Sequence, residues 1–195
     1  MQSTVHNLKR SLRKSLKIAI NKLTDNVKRN ESKIITDKLL NLEIYKQSSR
    51  ISVYLSMPSE VDTNEILKDI FQKDKKCYVP LYTNDDMKMV RLHGIEDYEA
   101  LPLTSWNIKQ PHENEERETA MDSGGLDLII LPGLGFSKDG QRLGRGRAYY
   151  DNYLAKHVNL HHKKPFTVGL AYSVQICPEI PCTETDVKLD MVLYP

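Results

Sequence analysis

Residues 126–132 read Leu-Asp-Leu-Ile-Ile-Leu-Pro, and this nearly unbroken apolar run constrains the fold more than any other stretch of the chain. A strand that is apolar at successive positions has no face to offer water, so both sides must be covered. That is the situation of an interior strand in a parallel sheet with helices on either face. FTVGLAY from Phe166 and KLDMVLY from Lys188 predict further strands of the same kind. The β-branched and aromatic stretch 51–55, stopped by Pro58, predicts another. So does KCYVPLY at 76–82, with MKMVRL at 87–92 as a hairpin arm across a polar turn at 84–86.

Between these runs the period changes. Leu8, Leu12, Leu16, Ile20 and Leu23 recur at three- and four-residue steps and make one apolar helix face. A second helical pattern follows Thr24 and Asp25 and carries Val27, Ile34, Ile35, Leu39 and Leu42. Asp62 with Glu65 imitates a capping box for a helix over 63–72, and 148–158 reads as another helix. Residues 94–125 read as surface loop with short helical pieces. Alternating strands and helices in one chain of this length predict a single α/β domain over 1–195. Its sheet is mostly parallel, twisted and flanked by helices, with a basic helix at the N-terminus.

Charge excludes one class of function. Lysine and arginine total 28 against 26 acidic residues, a net charge of +2, whereas a domain built to coat nucleic acid carries a strong basic excess. No apolar run approaches the ~20 residues of a membrane span. Cys77, Cys177 and Cys182 are too few and too unevenly spaced for a disulfide framework or a zinc finger, so a reducing, cytoplasmic setting is expected. Residues 1–24 hold Lys9, Arg10, Arg13, Lys14, Lys17 and Lys22 and no acid. Two readings fit that segment, a mitochondrial transit peptide or a basic helix of the mature domain.

In an open α/β sheet, ligands sit beyond the carboxyl ends of the strands, and residues 133–150 follow directly on the apolar run. Gly133, Gly135, Gly140, Gly144 and Gly146 permit positive φ and close approach of backbone amides to an anion. Arg142, Arg145 and Arg147 add permanently charged forks suited to phosphate oxygens. The stretch is not a Walker A loop, because Gln141–Arg142 stands where Lys–Ser/Thr is required. Nor is it a dinucleotide fingerprint, since Lys138 occupies the third glycine position. A glycine-rich connector with solvated arginines fits the composition as well. Tyr149 and Tyr150 tip the balance, because consecutive residues opening a helix point different ways and one must face the site. Asp151 reads either as a magnesium ligand or as an acid favoured by the helix dipole.

These stretches together carry a resemblance. LPGLGFSKDGQRLGRGRAYYDNYL, with KRSLR near the start, LSMPSEVDT and TSWNIKQP, is similar in order and spacing to the 5-formyltetrahydrofolate cyclo-ligase (5,10-methenyltetrahydrofolate synthetase) family over nearly the whole chain. The basic first helix belongs to that pattern, which favours the mature-domain reading. The resemblance implies an ATP- and magnesium-dependent ligase of folate one-carbon metabolism. Such an enzyme closes 5-formyltetrahydrofolate to 5,10-methenyltetrahydrofolate through a phosphorylated formyl group, with release of ADP and phosphate. It implies a monomer acting on ATP and a folate, with no nucleic-acid or membrane partner. Carried over position by position, Lys9, Arg10, Ser11, Leu12 and Arg13 resemble the family's N-terminal ATP contacts, with Arg13 also near substrate. Arg142, Leu143, Gly144, Arg145, Gly146, Arg147, Ala148, Tyr149 and Tyr150 resemble its phosphate loop.

Within that loop, Arg145 is the expected stabiliser of the migrating phosphoryl group and Tyr149 the lining of the reacting centre. The stretch from Arg145 to Tyr149 also borders the folate. Leu55 and Glu60 match folate-site positions, a carboxylate suiting the donor-rich edge of a pterin. Trp106 reads as a stacking surface or, equally, as core. Asp151 and Asp186 resemble magnesium ligands. Arg147 and Ala148 stand where the family commonly has Lys and Gly, and the alanine predicts a helical rather than left-handed backbone there. A non-catalytic nucleotide-binding module and an RNA-binding protein are the rival classes. Near-neutral charge and the lack of an aromatic RNA-binding motif weigh against the latter.

Overall fold

A computed structural model describes residues 2–83, 86–104 and 108–195. In chain order the elements are α1 (Gln2–Asn21), α2 (Asp25–Asn41), a short α3 (Glu43–Gln47), β1 (Arg50–Val53), α4 (Asn64–Gln72), β2 (Lys76–Tyr82) and β3 (Met87–Leu92). There follow α5 (Ile95–Ala100), β4 (Leu128–Leu131), β5 (Gly135–Ser137), β6 (Arg142–Leu143), α6 (Tyr149–His161) and β7 (Phe166–Leu170). A 3-10 turn at Ser173–Gln175 leads to β8 (Ile176–Cys177), and β9 (Met191–Leu193) closes the chain.

Six strands form the main sheet in the order β3-β2-β1-β4-β7-β9. Every pairing in it is parallel except the β2–β3 hairpin. Thr83 and Asp86 close that hairpin by backbone and hydroxyl hydrogen bonds around residues 84 and 85, which lie outside the described set.

The central strand explains the apolar run. All of β4 is buried. Leu128 and Ile130 pack in one core cluster with Ile35 and Leu39 of α2 and Ile66 and Ile70 of α4. Ile129 and Leu131 pack in a second with Tyr153 and Leu154 of α6. Each β4 side chain is removed from water, at about 1.5–3 kcal/mol apiece in transfer terms. A polar residue at any of these positions would forfeit that term and add an unpaired buried group.

Several local expectations shift. Helix α4 starts at Asn64, and no Asp62–Glu65 box forms. Thr63 sits at the cap position, but its hydroxyl donates to the Tyr54 carbonyl at 2.8 Å, while Asp62 Oδ1 accepts from Asn64 N and Glu65 pairs with Lys68. Helix α6 runs on to His161. Between residues 94 and 125 the chain holds α5 and isolated bridges at Val90–Thr119 and Leu103–Lys109. A second sheet of three strands, β6-β5-β8, was not expected, and it lies beside the arginine loop. Among the described residues, no helix is long and apolar enough to cross a membrane.

Candidate functional site

A cleft of about 620 Å³ opens at the carboxyl ends of β1, β2 and β4, where the loops after each strand meet α1 and the start of α6. Helix α1 reaches it because Leu16 packs with Leu143, Cys177 and Ile180 against the small sheet. A Cβ on Gly135 would lie 2.5 Å from Leu16 Cδ1, so glycine here is what lets helix and strand approach. Lys9 and Arg13, one turn apart on α1, then face the cleft. Arg13 Nε donates to the Gly144 carbonyl at 2.9 Å, tying the helix to the loop. Leu12 packs beneath, while Arg10 and Ser11 are exposed and do not line the cleft.

Of the five loop glycines, only Gly140 and Gly146 use positive φ. At Gly146 (φ 109°) the chain takes a turn that a side chain would strain. Two residues on, the sequence expectation fails: Ala148 is left-handed (φ 55°, ψ 18°) rather than helical, and α6 begins at Tyr149. The loop has to turn into the helix at this point, and that geometry overrides alanine's helical preference at about 1–2 kcal/mol. Alternating backbone handedness of this kind builds concave anion sites. The N-terminus of α6 has no side-chain cap hydrogen bond at Ala148, and the positive end of its dipole meets the cleft, which favours an anion there.

Three cation–carboxylate pairs bridge the elements. Arg142 Nη2 lies 3.0 Å from Asp151 Oδ2, with side chains 7% and 15% exposed. Arg145 Nη2 lies 3.0 Å from Glu60 Oε1. Lys9 Nζ donates to Asp186 Oδ2. Burial would push the Asp186 carboxyl up, but the Lys9 bond and the Thr183 amide and hydroxyl outweigh it and hold it below the ordinary carboxylate value. Burial lowers Arg13, opposed by the Asp186 charge. Arg147 is exposed and forms no ion pair among the described residues.

Tyrosines form the remaining floor. The Tyr82 and Tyr149 rings meet at 5.4 Å, the Tyr149 hydroxyl donates to the Thr83 carbonyl at 2.9 Å, and the Tyr82 and Tyr150 hydroxyls are 3.3 Å apart. Burial pushes the Tyr82 phenol up to about 12, and burial with the neighbouring Tyr82 raises the Tyr150 phenol as well. Both stay protonated at neutral pH and act as hydrogen-bonding groups, not bases.

Leu55 and Glu60 line the cleft as expected, and Leu143 to Tyr150 border it. Trp106 lies outside the described residues. Tyr82, Thr83, Lys109 and Gln110 line the cleft without having been singled out in the sequence. The signal for Tyr82 was its place at the carboxyl end of a strand, and Lys109 and Gln110 close the TSWNIKQP stretch.

Magnesium fits the donor set in a limited way. Among the described residues, Asp151 Oδ1 accepts from the Val187 amide and Oδ2 from Arg142, which leaves each oxygen a lone pair there. Among the described residues no group of three metal-binding side chains occurs. That suits an ion held by one or two carboxylates, water and phosphate rather than by a protein cage.

A doubly covered, mostly parallel sheet with an arginine cleft at its strand ends, faced by carboxylates and the start of a helix, defines an α/β protein whose cleft suits an anionic ligand. The 5-formyltetrahydrofolate cyclo-ligase family matches residues 5–195, and the chain belongs to that family. It is 49% identical over 193 residues to a 5-formyltetrahydrofolate cyclo-ligase of Mus musculus, covering 98% of this chain and 95% of that one. It is 32% identical over 195 residues to a probable 5-formyltetrahydrofolate cyclo-ligase of Caenorhabditis elegans, with 98% and 95% covered. The NMR structure of Aquifex aeolicus 5,10-methenyltetrahydrofolate synthetase superposes with a TM-score of 0.76 at 27% identity, covering 95% of this chain and 89% of that one.

Proposed function

We propose that the chain is an ATP- and magnesium-dependent cyclo-ligase that converts 5-formyltetrahydrofolate to 5,10-methenyltetrahydrofolate with release of ADP and phosphate. The observation that carries this reading is convergence: Arg13, Arg142, Arg145 and Glu60, from three separate stretches of sequence, line one cleft.

The chemistry explains the residue types. A formamide carbon is a weak electrophile and its oxygen a poor leaving group. Transfer of the γ-phosphoryl group from ATP to that oxygen, with ADP departing, turns it into a good one. The N10 amine then attacks the formyl carbon, the C–O bond breaks, phosphate leaves and the N10 proton is lost. Charge sits on phosphoryl oxygens throughout, so the protein has to position and stabilise rather than supply a nucleophile. Arg142 and Arg145, the α6 amides, Lys9 and Arg13 provide fixed positive charge where it develops. Glu60 accepts from the donor edge of the pterin, Leu55 walls it, and Tyr149 lines the reacting centre.

Asp151 and Asp186 would hold magnesium, which supplies charge neutralisation on the phosphates when bound. The monomer that the family resemblance implies is the form proposed here. Three free cysteines fit a reducing compartment such as the cytoplasm. The test is direct: purified protein with 5-formyltetrahydrofolate, ATP and magnesium should generate the absorbance of the methenyl product. ATP binding without that signal would leave only a nucleotide-binding module.

A further inference from the structure

Beyond the β1 strand end, β2 continues alone on that side. The β1–β2 register runs from Arg50–Lys76 to Ser52–Tyr78, so Tyr82 extends past β1 with its backbone open in that direction. The Gln110 side chain fills the gap. Its Oε1 accepts from Tyr82 N at 3.1 Å and its Nε2 donates to Tyr82 O at 3.2 Å. A primary amide carries the same donor and acceptor as a peptide unit, so Gln110 replaces one residue of the missing strand.

Two structures meet at this joint. On one side is the cleft wall that includes Thr104, Ile108 and Lys109. Its described residues include the isolated Leu103–Lys109 bridge, and Lys109 also donates to the Tyr98 and Glu99 carbonyls at the end of α5. On the other side is Tyr82, which touches Tyr149 through its ring and Tyr150 through its hydroxyl. Through that contact the wall is coupled to the exit of the arginine loop.

We infer that Gln110 is a positioning residue: its two-point clamp on Tyr82 holds the cleft wall and the Tyr149–Tyr150 pair in register for the reaction. This rests on the cyclo-ligase reading. Alanine removes both bonds. Glutamate keeps an acceptor for the Tyr82 amide, but when ionised it sets a negative oxygen against the Tyr82 carbonyl. Protonated, it can donate there and close the clamp again.

The test compares Gln110→Ala and Gln110→Glu with the wild type in steady-state kinetics and in amide hydrogen exchange. In the alanine variant kcat/KM for 5-formyltetrahydrofolate should fall on the order of 100-fold, the effect of a small misplacement of reacting groups. The KM for ATP should stay unchanged. Exchange at the Tyr82 amide should accelerate, while Val79 in the middle of β2 stays protected. In the glutamate variant, activity relative to wild type should climb as pH falls toward the carboxyl's own range, a trend absent from alanine. Wild-type kinetic constants in Gln110→Ala, or equal losses for ATP and folate with exchange rising along all of β2, would overturn the inference. A wild-type chain with no turnover would overturn the cyclo-ligase reading itself, and the two failures are thereby told apart.

Discussion

Arg145 and Glu60, 85 positions apart in sequence, meet with Nη2 3.0 Å from Oε1 and join the arginine loop to the loop after β1. Glu60 is the fixed member. Its side chain is 9% exposed against 43% for Arg145, and its Oε2 accepts from the Met57 amide at 3.1 Å. On the proposed function, a folate edge donating to Glu60 would compete with Arg145 for the carboxylate and release the guanidinium toward the phosphoryl group. Arg145→Ala should therefore lower kcat by about 100- to 1,000-fold, the scale of losing one charge-stabilising donor. Thermal melting should fall as well, because the buried Glu60 loses its counter-charge, so turnover is compared well below the melting midpoint of the variant. Near-normal turnover would remove Arg145 from the mechanism.

Asp151 satisfies two donors at once, Arg142 Nη2 and the Val187 amide. In Asp151→Asn the amide nitrogen must face one of those donors, and the buried Arg142 loses its counter-charge. The expected cost is about 3 kcal/mol. For a chain of this size that lowers the melting midpoint by roughly 6–12 °C. The magnesium titration of activity should also move to higher concentration. A shifted melting curve with an unchanged magnesium titration would make Asp151 a partner of Arg142 only.

Ala148 holds a left-handed backbone without the glycine that makes it free. Ala148→Gly should stabilise the fold by about 1 kcal/mol through relief of that strain. The thermal midpoint should rise by roughly 2–4 °C. A midpoint that falls would mean that the side chain packs favourably enough to offset its backbone.

His157 is buried with both ring nitrogens engaged: Nε2 accepts from the Leu126 amide at 2.9 Å, and Nδ1 lies 3.2 Å from the Lys163 carbonyl. Only the neutral ring serves both. Burial, followed by the neighbouring His161, holds its pKa below the ordinary histidine value. The unfolded chain takes up the proton at about pH 6.5 and the folded chain only at lower pH, so this stability is present above that value and lost as pH falls through it. Urea midpoints measured across a pH series should fall on the acid side of about 6.5. His157→Gln should flatten that segment of the curve, and an unaltered slope would discount the ring.

What could be read in advance follows from which physical signal each element carries. The β4 run was legible because burial on both faces leaves a pattern no other environment produces. The arginine loop was legible because charge in a glycine-rich stretch is locally anomalous, whereas Lys9, Arg13 and Glu60 came from the family pattern alone; the fold brings all of them to one cleft. The strands of the small sheet span two or three residues, too few for any period. The cap of α4 moved because Thr63 had a competing acceptor in the Tyr54 carbonyl, which no local window reveals. Ala148 misled because helix preference is weaker than the demand of a loop that must turn. Tyr82 and Gln110 acquire their roles only through pairing across 28 positions of chain.

Lys9 and Asp186 are 177 positions apart, and their contact belongs to the cleft. A ribosome delivers the first partner 177 residues before the second. Cys177 and Ile180, against which Leu16 docks, also emerge late. The first helix is therefore made long before its seat, and the side of the cleft that Lys9 and Asp186 form can close only after Asp186 has emerged.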